Sequence, residues 1–336
     1  MIGERLRMQV YIHVGYPKNA STMLQTDIFP NLPGVVYCGR RYGTEHPFVT
    51  AGLDEAIRSI SFEDSLRYDA GKVRAQVAEA LAELVPTDGK LLLSWEAFMH
   101  NVADRGLIAA RLKELFPGAK ILLVIRNQLD SIESMYHFLV EQGGGNINPA
   151  YGRPSVRSLK AWLSDQEDFV YKSYLETLKY DEMYTLYARL FSAESVKVLL
   201  FEDLKKAPQD FLEQLGEFLS VGHIPVDLIQ KRNARSSAGM GQAFKFRNWL
   251  RRNGVNPALP RLVSIPLKKV LSRMGQQSSQ DSLSAEERES LAARYREGNA
   301  RLQTWTGKDL GARGYPVVDG NSVAETGTFN FSEDNR

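Results

Sequence analysis

A single cysteine, Cys38, in 336 residues leaves no partner for an intrachain disulfide and no thiolate set for a Cys-built zinc site. That scarcity suits a reducing compartment. Charge of one sign is lacking too: 42 Lys and Arg stand against 40 Asp and Glu. With a balance of +2 no global field points to nucleic acid, so any anion site has to be built locally. Long apolar runs are missing as well. Residues 1–8 carry charges with no apolar stretch of signal-peptide type behind them, and no run approaches the roughly 18 apolar residues of a spanning helix. The expectation is a cytoplasmic chain with no transmembrane segment and no nucleic-acid partner. The sequence shows no internal repeat and no low-complexity block, and it leaves the oligomeric state open.

What is present is concentrated first in residues 9–30, QVYIHVGYPKNASTMLQTDIFP. Val10, Ile12 and Val14 alternate with less apolar residues and predict a strand; Gly15 and Pro17 stop it, and residues 20–27 open a helix. The first N–H groups of such a helix have no intrahelical partners. An anion placed there satisfies them at the positive end of the helix dipole, and Lys18 adds a full charge. The loop lacks the G-x-x-x-x-G-K-[ST] order of a Walker A sequence, because here Lys18 precedes the hydroxyl pair Ser21 and Thr22.

Four further runs predict strands: residues 34–38, the continuous apolar stretches KLLLSW (90–95) and KILLVI (120–125), and SVKVLLF (195–201). Runs that are apolar throughout belong in a parallel sheet covered on both faces. Helices are expected over 49–60, 72–84, 104–116, from about Asp130 onward, 170–191 and 208–220. A capping-box pattern, S-x-x-E at Ser284 and Glu287, opens another through about Trp305. Tyr171, Tyr174 and Tyr187 lie on the apolar stripe of the 170–191 helix, which a core alone explains. The polar loop 39–47 with His46 reads as a border of a substrate cleft or as a solvated connection, and the glycine-containing stretch 143–155 with Tyr151 and Arg153 reads as a loop over the site.

Two strand ends carry chemistry. The first delivers Ser94, Trp95 and Glu96, and the second ends on Arg126 with Ser134 eight residues later on the next helix. A strand-end Arg offers a planar fork to a phosphate, and a helix-borne hydroxyl adds a neutral donor. An Arg cannot ligate a metal, which separates this strand from the Walker B Asp of P-loop kinases. On its residues alone Glu96 reads as a carboxylate that caps the next segment or pairs with an Arg.

The run YPKNAST, residues Tyr16, Pro17, Lys18, Asn19, Ala20, Ser21 and Thr22, resembles the 5′-phosphosulfate loop of the PAPS-dependent sulfotransferases, whose pattern is close to YPKSGTTW. The run beginning at Arg126 and reaching Ser134 is similar to their 3′-phosphate motif, R-N-P-x-D-x-x-x-S, with Gln128 in place of Pro. FEDL at 201–204 is similar to a third segment, and the resemblance spans roughly residues 10–220. Two departures are Met23, where many cytosolic members have a Trp on the adenine, and the absence of RKGxxGDW around the basic stretch 231–241, where Arg232 or Arg235 is the weaker carry-over.

The resemblance implies an α/β fold, a mainly parallel central sheet with helices on both faces, P-loop NTPase-like, plus a helical C-terminal extension. It implies one sulfotransferase domain over 1–318, with a core at 9–220 and a helical part at 221–318, followed by a disordered tail at 319–336. It implies PAPS (3′-phosphoadenosine 5′-phosphosulfate) as sulfuryl donor and no metal. The nucleotide is expected to be held by residues 16–22, Arg126, Ser134 and Arg232, with Lys18 and Glu96 catalytic. The acceptor is expected to be a small molecule or saccharide hydroxyl or amine, including a glycolipid. A nucleotide or small-molecule kinase and a non-catalytic PAP- or phosphate-binding module are the alternatives.

Overall fold

A computed structural model describes residues 8–39, 50–84, 89–99, 104–141, 158–168, 173–229 and 282–318. All five expected strands form: β1 (Gln9–Val14), β2 (Val35–Gly39), β3 (Lys90–Trp95), β4 (Lys120–Ile125) and β5 (Val196–Leu200). They make one sheet in the order β2-β3-β1-β4-β5, with every neighbouring pair parallel. The chain leaves β1 toward β2 on one side, but later crosses over β1 to reach β4 and β5. Right-handed crossovers in opposite directions put helices on opposite faces. They also make the gap between β1 and β4 the switch point of the sheet, where α/β folds receive ligands at the carboxyl ends of their strands.

The first helical run, α1, covers Ser21–Met23 and continues as a π-wound turn over Leu24–Ile28 and a 3-10 turn over Phe29–Asn31. An ordinary α-helix over 20–27 was the expectation; the wider winding turns Leu24, Ile28 and Phe29 into the core beside Tyr11, Leu92 and Leu122. Such π turns recur near functional sites. After β2 come α2 (Ala51–Phe62) and α3 (Ala70–Leu84); α4 (Arg105–Leu115) lies between β3 and β4. Thr50 caps α2 by accepting from Leu53 N–H at 3.2 Å.

The described residues divide between two compact units, one holding those up to 127, those of 179–229 and those of 293–318, the other those of 128–178 and 282–292. The first holds the sheet. One of its faces packs on α1 and on α10 (Pro208–Leu219) through Phe211, Leu212, Leu215 and Leu219. Against the strands also lies α8 (Tyr180–Phe191), which packs on β4, β5 and α4. A short helix, α9 (Phe201–Lys206), starts directly where β5 ends, so FEDL opens a helix instead of closing a strand.

The second unit contains α5 (Gln128–Glu141), α6 (Leu159–Asp168), the short α7 (Tyr174–Thr177) and the first turns of α11 (Ala285–Thr306). Trp162 and Tyr174 are fully buried there, with Ser131 and Tyr174 hydroxyls 2.7 Å apart. The helix expected over 170–191 is broken. Ser173 caps α7, Leu178 N–H closes back on Leu175 O at 3.2 Å, and a new helix starts at Tyr180. The capping box forms as expected, Ser284 N–H donating to Glu287 Oε2 at 2.8 Å and Glu287 N–H to Ser284 Oγ at 3.2 Å. Among the described residues no helix is long and apolar enough to cross a membrane.

Candidate active site at the strand ends

The loop after β1 is held in a shape that few side chains favour. Lys18 has φ 69° and Ala20 has φ 67°, both left-handed, with Asn19 between them at negative φ. Alternating hand along consecutive residues is the backbone pattern that anion nests use, and here the Asn19 N–H closes back on Tyr16 O at 3.4 Å, leaving the Lys18 and Ala20 positions to face an anion. Strain of this kind persists only where the surroundings hold it. Here Asn19 is fully buried and its amide donates to Val124 O at 3.1 Å and to the Tyr180 hydroxyl at 3.4 Å. Ser21, also buried, donates to Tyr16 O at 2.7 Å. Thr22 is exposed and Lys18 half-buried.

Tyr180 is the hub beneath the loop. Its hydroxyl donates to Arg126 O at 2.8 Å and accepts from Arg126 N–H at 3.5 Å, and its ring meets the buried Tyr16 ring edge-on at 5.0 Å. Nothing in the sequence set Tyr180 apart, because it recurs at helical spacing with Tyr184 and Tyr187 and reads as core. The break before α8 is what aims it at the strand ends.

Arg126 brings the second motif onto the first. Its Nη1 donates to Lys18 O at 3.0 Å, and its guanidinium carbon sits 4.8 Å from the centre of the Phe201 ring. Its Nε is buried with no partner among the described residues. A buried guanidinium N–H without an acceptor is costly, and an anionic oxygen would satisfy it. Phe201 and Glu202 give FEDL its physical sense: the ring lies under Arg126, while Glu202 Oε1 accepts from Asn127 N–H at 2.9 Å.

Glu96 begins a 3-10 turn directly after β3 and is half-buried. A Cβ on Gly15 would stand 3.2 Å from Glu96 Cγ and 3.3 Å from Ser21 Oγ. The Glu96 side chain therefore lies against the first residue of the loop, and glycine there permits the approach. Trp95 beside it meets Phe62 and Phe98 edge-on at 5.4 and 6.0 Å, with the Arg58 guanidinium 6.0 Å from its ring.

Under the loop helix lies a buried polar chain. Gln25 Nε2 donates to Ser94 Oγ at 3.1 Å, and Ser94 Oγ shares a hydrogen bond with His13 Nδ1 at 2.8 Å. Burial lowers the pKa of His13 from 6.5 to about 3, so it is neutral at ordinary pH. The unfolded chain takes up a proton near pH 6.5 that the folded chain refuses. Stability is then full above pH 6.5 and is lost as pH falls toward 3, by at most about 1.4 kcal/mol per pH unit. Replacing His13 by Gln is expected to flatten that acid slope in urea melts between pH 6.5 and 4.5; an unchanged slope would show that other groups set it.

Of the expected site residues, Tyr16 to Thr22, Glu96 and Arg126 all lie in the first unit around the ends of β1, β3 and β4. Ser134 lies on α5 in the second unit, partly buried. Arg232, Arg235, His46, Tyr151, Arg153, Tyr171 and the tail 319–336 fall outside the described residues.

Residues 108–237 match the family model of the sulfotransferase domain. Among solved structures, a sulfotransferase from Alicyclobacillus acidocaldarius is similar, with TM-score 0.53 and 17% identity, covering 90% of this chain and 97% of that one. A mouse sulfotransferase complexed with PAP aligns with TM-score 0.44 and 14% identity over 89% of each chain. No curated protein matches the sequence. The fold is that of a sulfotransferase. Over residues 108–237 the chain is similar to the sulfotransferase domain.

Proposed function

We propose that the cradle at the ends of β1 and β4 takes PAPS and that Glu96 activates an acceptor hydroxyl or amine on a saccharide or glycolipid. The observation that carries the nucleotide reading is Arg126, a buried strand-end guanidinium held on the Lys18 carbonyl with its Nε unpartnered. A 3′-phosphate oxygen is the acceptor it lacks. Ser134 joins it on the motif alone, as Arg232 does by resemblance. The left-handed loop residues aim their N–H groups at the 5′ end, with Tyr16 and Pro17 packing beneath.

In the reaction the acceptor proton passes to Glu96 while the acceptor oxygen or nitrogen bonds to sulfur. The bond from sulfur to the 5′-phosphate oxygen breaks, and PAP leaves with the electron pair. Lys18 neutralises the charge that grows on that leaving oxygen. A sulfuryl group carries less charge than a phosphoryl group, so positioning and this single cation suffice without a metal. The half-buried Trp95 beside Glu96, with Phe62 60% exposed, supports a ring-bearing acceptor with an apolar face.

Arg126→Ala is expected to weaken PAP by about tenfold or more, the scale of a charged hydrogen bond left unmade, and adenosine 5′-phosphosulfate far less. Calorimetric titration checks it. Equal losses for both nucleotides would remove the 3′-phosphate from Arg126.

A further inference from the structure

We propose that residues 313–315, close to the end of the described chain and outside the matched domain, form a clasp that positions Arg126 for the nucleotide. The inference rests on the 3′-phosphate reading above. These residues close on the two segments that frame Arg126. Arg313 Nε pairs with Asp203 Oδ1 at 2.5 Å, and the Tyr315 hydroxyl donates to Glu202 Oε2 at 2.7 Å. Between them the Asn127 amide donates to Gly314 O, and Gly314 takes φ 84°, which glycine adopts without strain.

Glu202 is the bridge. One carboxylate oxygen accepts from the backbone N–H of Asn127, the residue after Arg126, and the other accepts from Tyr315. Phe201, one residue earlier, carries the Arg126 guanidinium on its ring. Fixing the start of α9 therefore fixes both the backbone that follows Arg126 and the ring under its side chain. Tyr315 is 3% exposed, and burial beside Glu202 holds its phenol well above the usual tyrosine range, so it donates at every working pH. A hydrogen bond to a charged acceptor in a buried setting is among the stronger ones.

Tyr315→Phe in the full chain removes the hydroxyl and keeps the buried ring. It is expected to raise the Kd for PAP about three- to tenfold, the range of one hydrogen bond, while adenosine 5′-phosphosulfate changes less. Arg313→Gln, on a partly exposed pair, is the second variant and is expected to move the same ratio in the same direction. Thermal midpoints are measured alongside. A lowered midpoint with PAP and adenosine 5′-phosphosulfate affinities unchanged in both folded variants would overturn the clasp and leave the nucleotide reading intact. Failure of the wild-type chain to bind PAP more tightly than adenosine 5′-phosphosulfate would overturn the nucleotide reading and the clasp with it.

Discussion

Lys18→Ala is expected to cut single-turnover sulfuryl transfer by about 10²-fold or more, the scale of a lost oxyanion donor, while the protein stays folded. In the proposed reaction its cation acts on leaving-group charge that is small in bound PAPS and grows toward the transition state, so the loss falls on the chemical step more than on donor binding. The backbone gives no reason for collapse. Position 18 is left-handed, but alanine has the same Cβ as lysine, and Ala20 already sits at φ 67° two residues on. Asn19, which pins the loop to β4, is untouched. A thermal midpoint near wild type with a near-normal rate would remove Lys18 from the chemistry.

Glu96→Gln is expected to lower the transfer rate by roughly 10²–10⁴-fold, the usual worth of acid–base catalysis, with PAP affinity preserved. Gln keeps the Cγ that lies against Gly15 and removes only the proton acceptor. Were Glu96 a structural carboxylate paired with a cation, the same change would lower the thermal midpoint and spare the rate per folded molecule. Both quantities are read on one preparation. An unchanged rate would pass the base role to another group, such as the partly buried His137.

Much of this architecture is legible in the chain itself. KLLLSW and KILLVI are apolar throughout because both faces of a parallel sheet are covered, and each runs directly into a candidate site residue, Glu96 or Arg126. The capping box at Ser284 and Glu287 is local chemistry, written in four residues, and it forms as read. The misses are long-range. Periodicity runs through residues 170–191 without marking the break at Leu178 and Lys179, since the same tyrosines suit one helix or two. The π winding after Met23 depends on what α1 packs against. Tyr180 looks like its neighbours Tyr184 and Tyr187 until the strand ends are beside it. The 313–315 clasp joins residues more than a hundred positions apart, and no window of sequence reports that. Conversely, His13 and Ser94 lie in register on adjacent strands, and their pairing was recoverable only once the β1–β3 neighbourhood was known.

In the proposed reaction the cradle between β1 and β4 takes PAPS and passes its sulfuryl group to a hydroxyl or amine. Sulfur-35-labelled PAPS, incubated with the full chain, a saccharide and glycolipid panel and excess EDTA, tests it directly. The account predicts label on an acceptor in equal amount to the PAP released, with no transfer from ATP. PAP that binds while no acceptor takes label would contradict it, as would transfer from ATP that depends on magnesium.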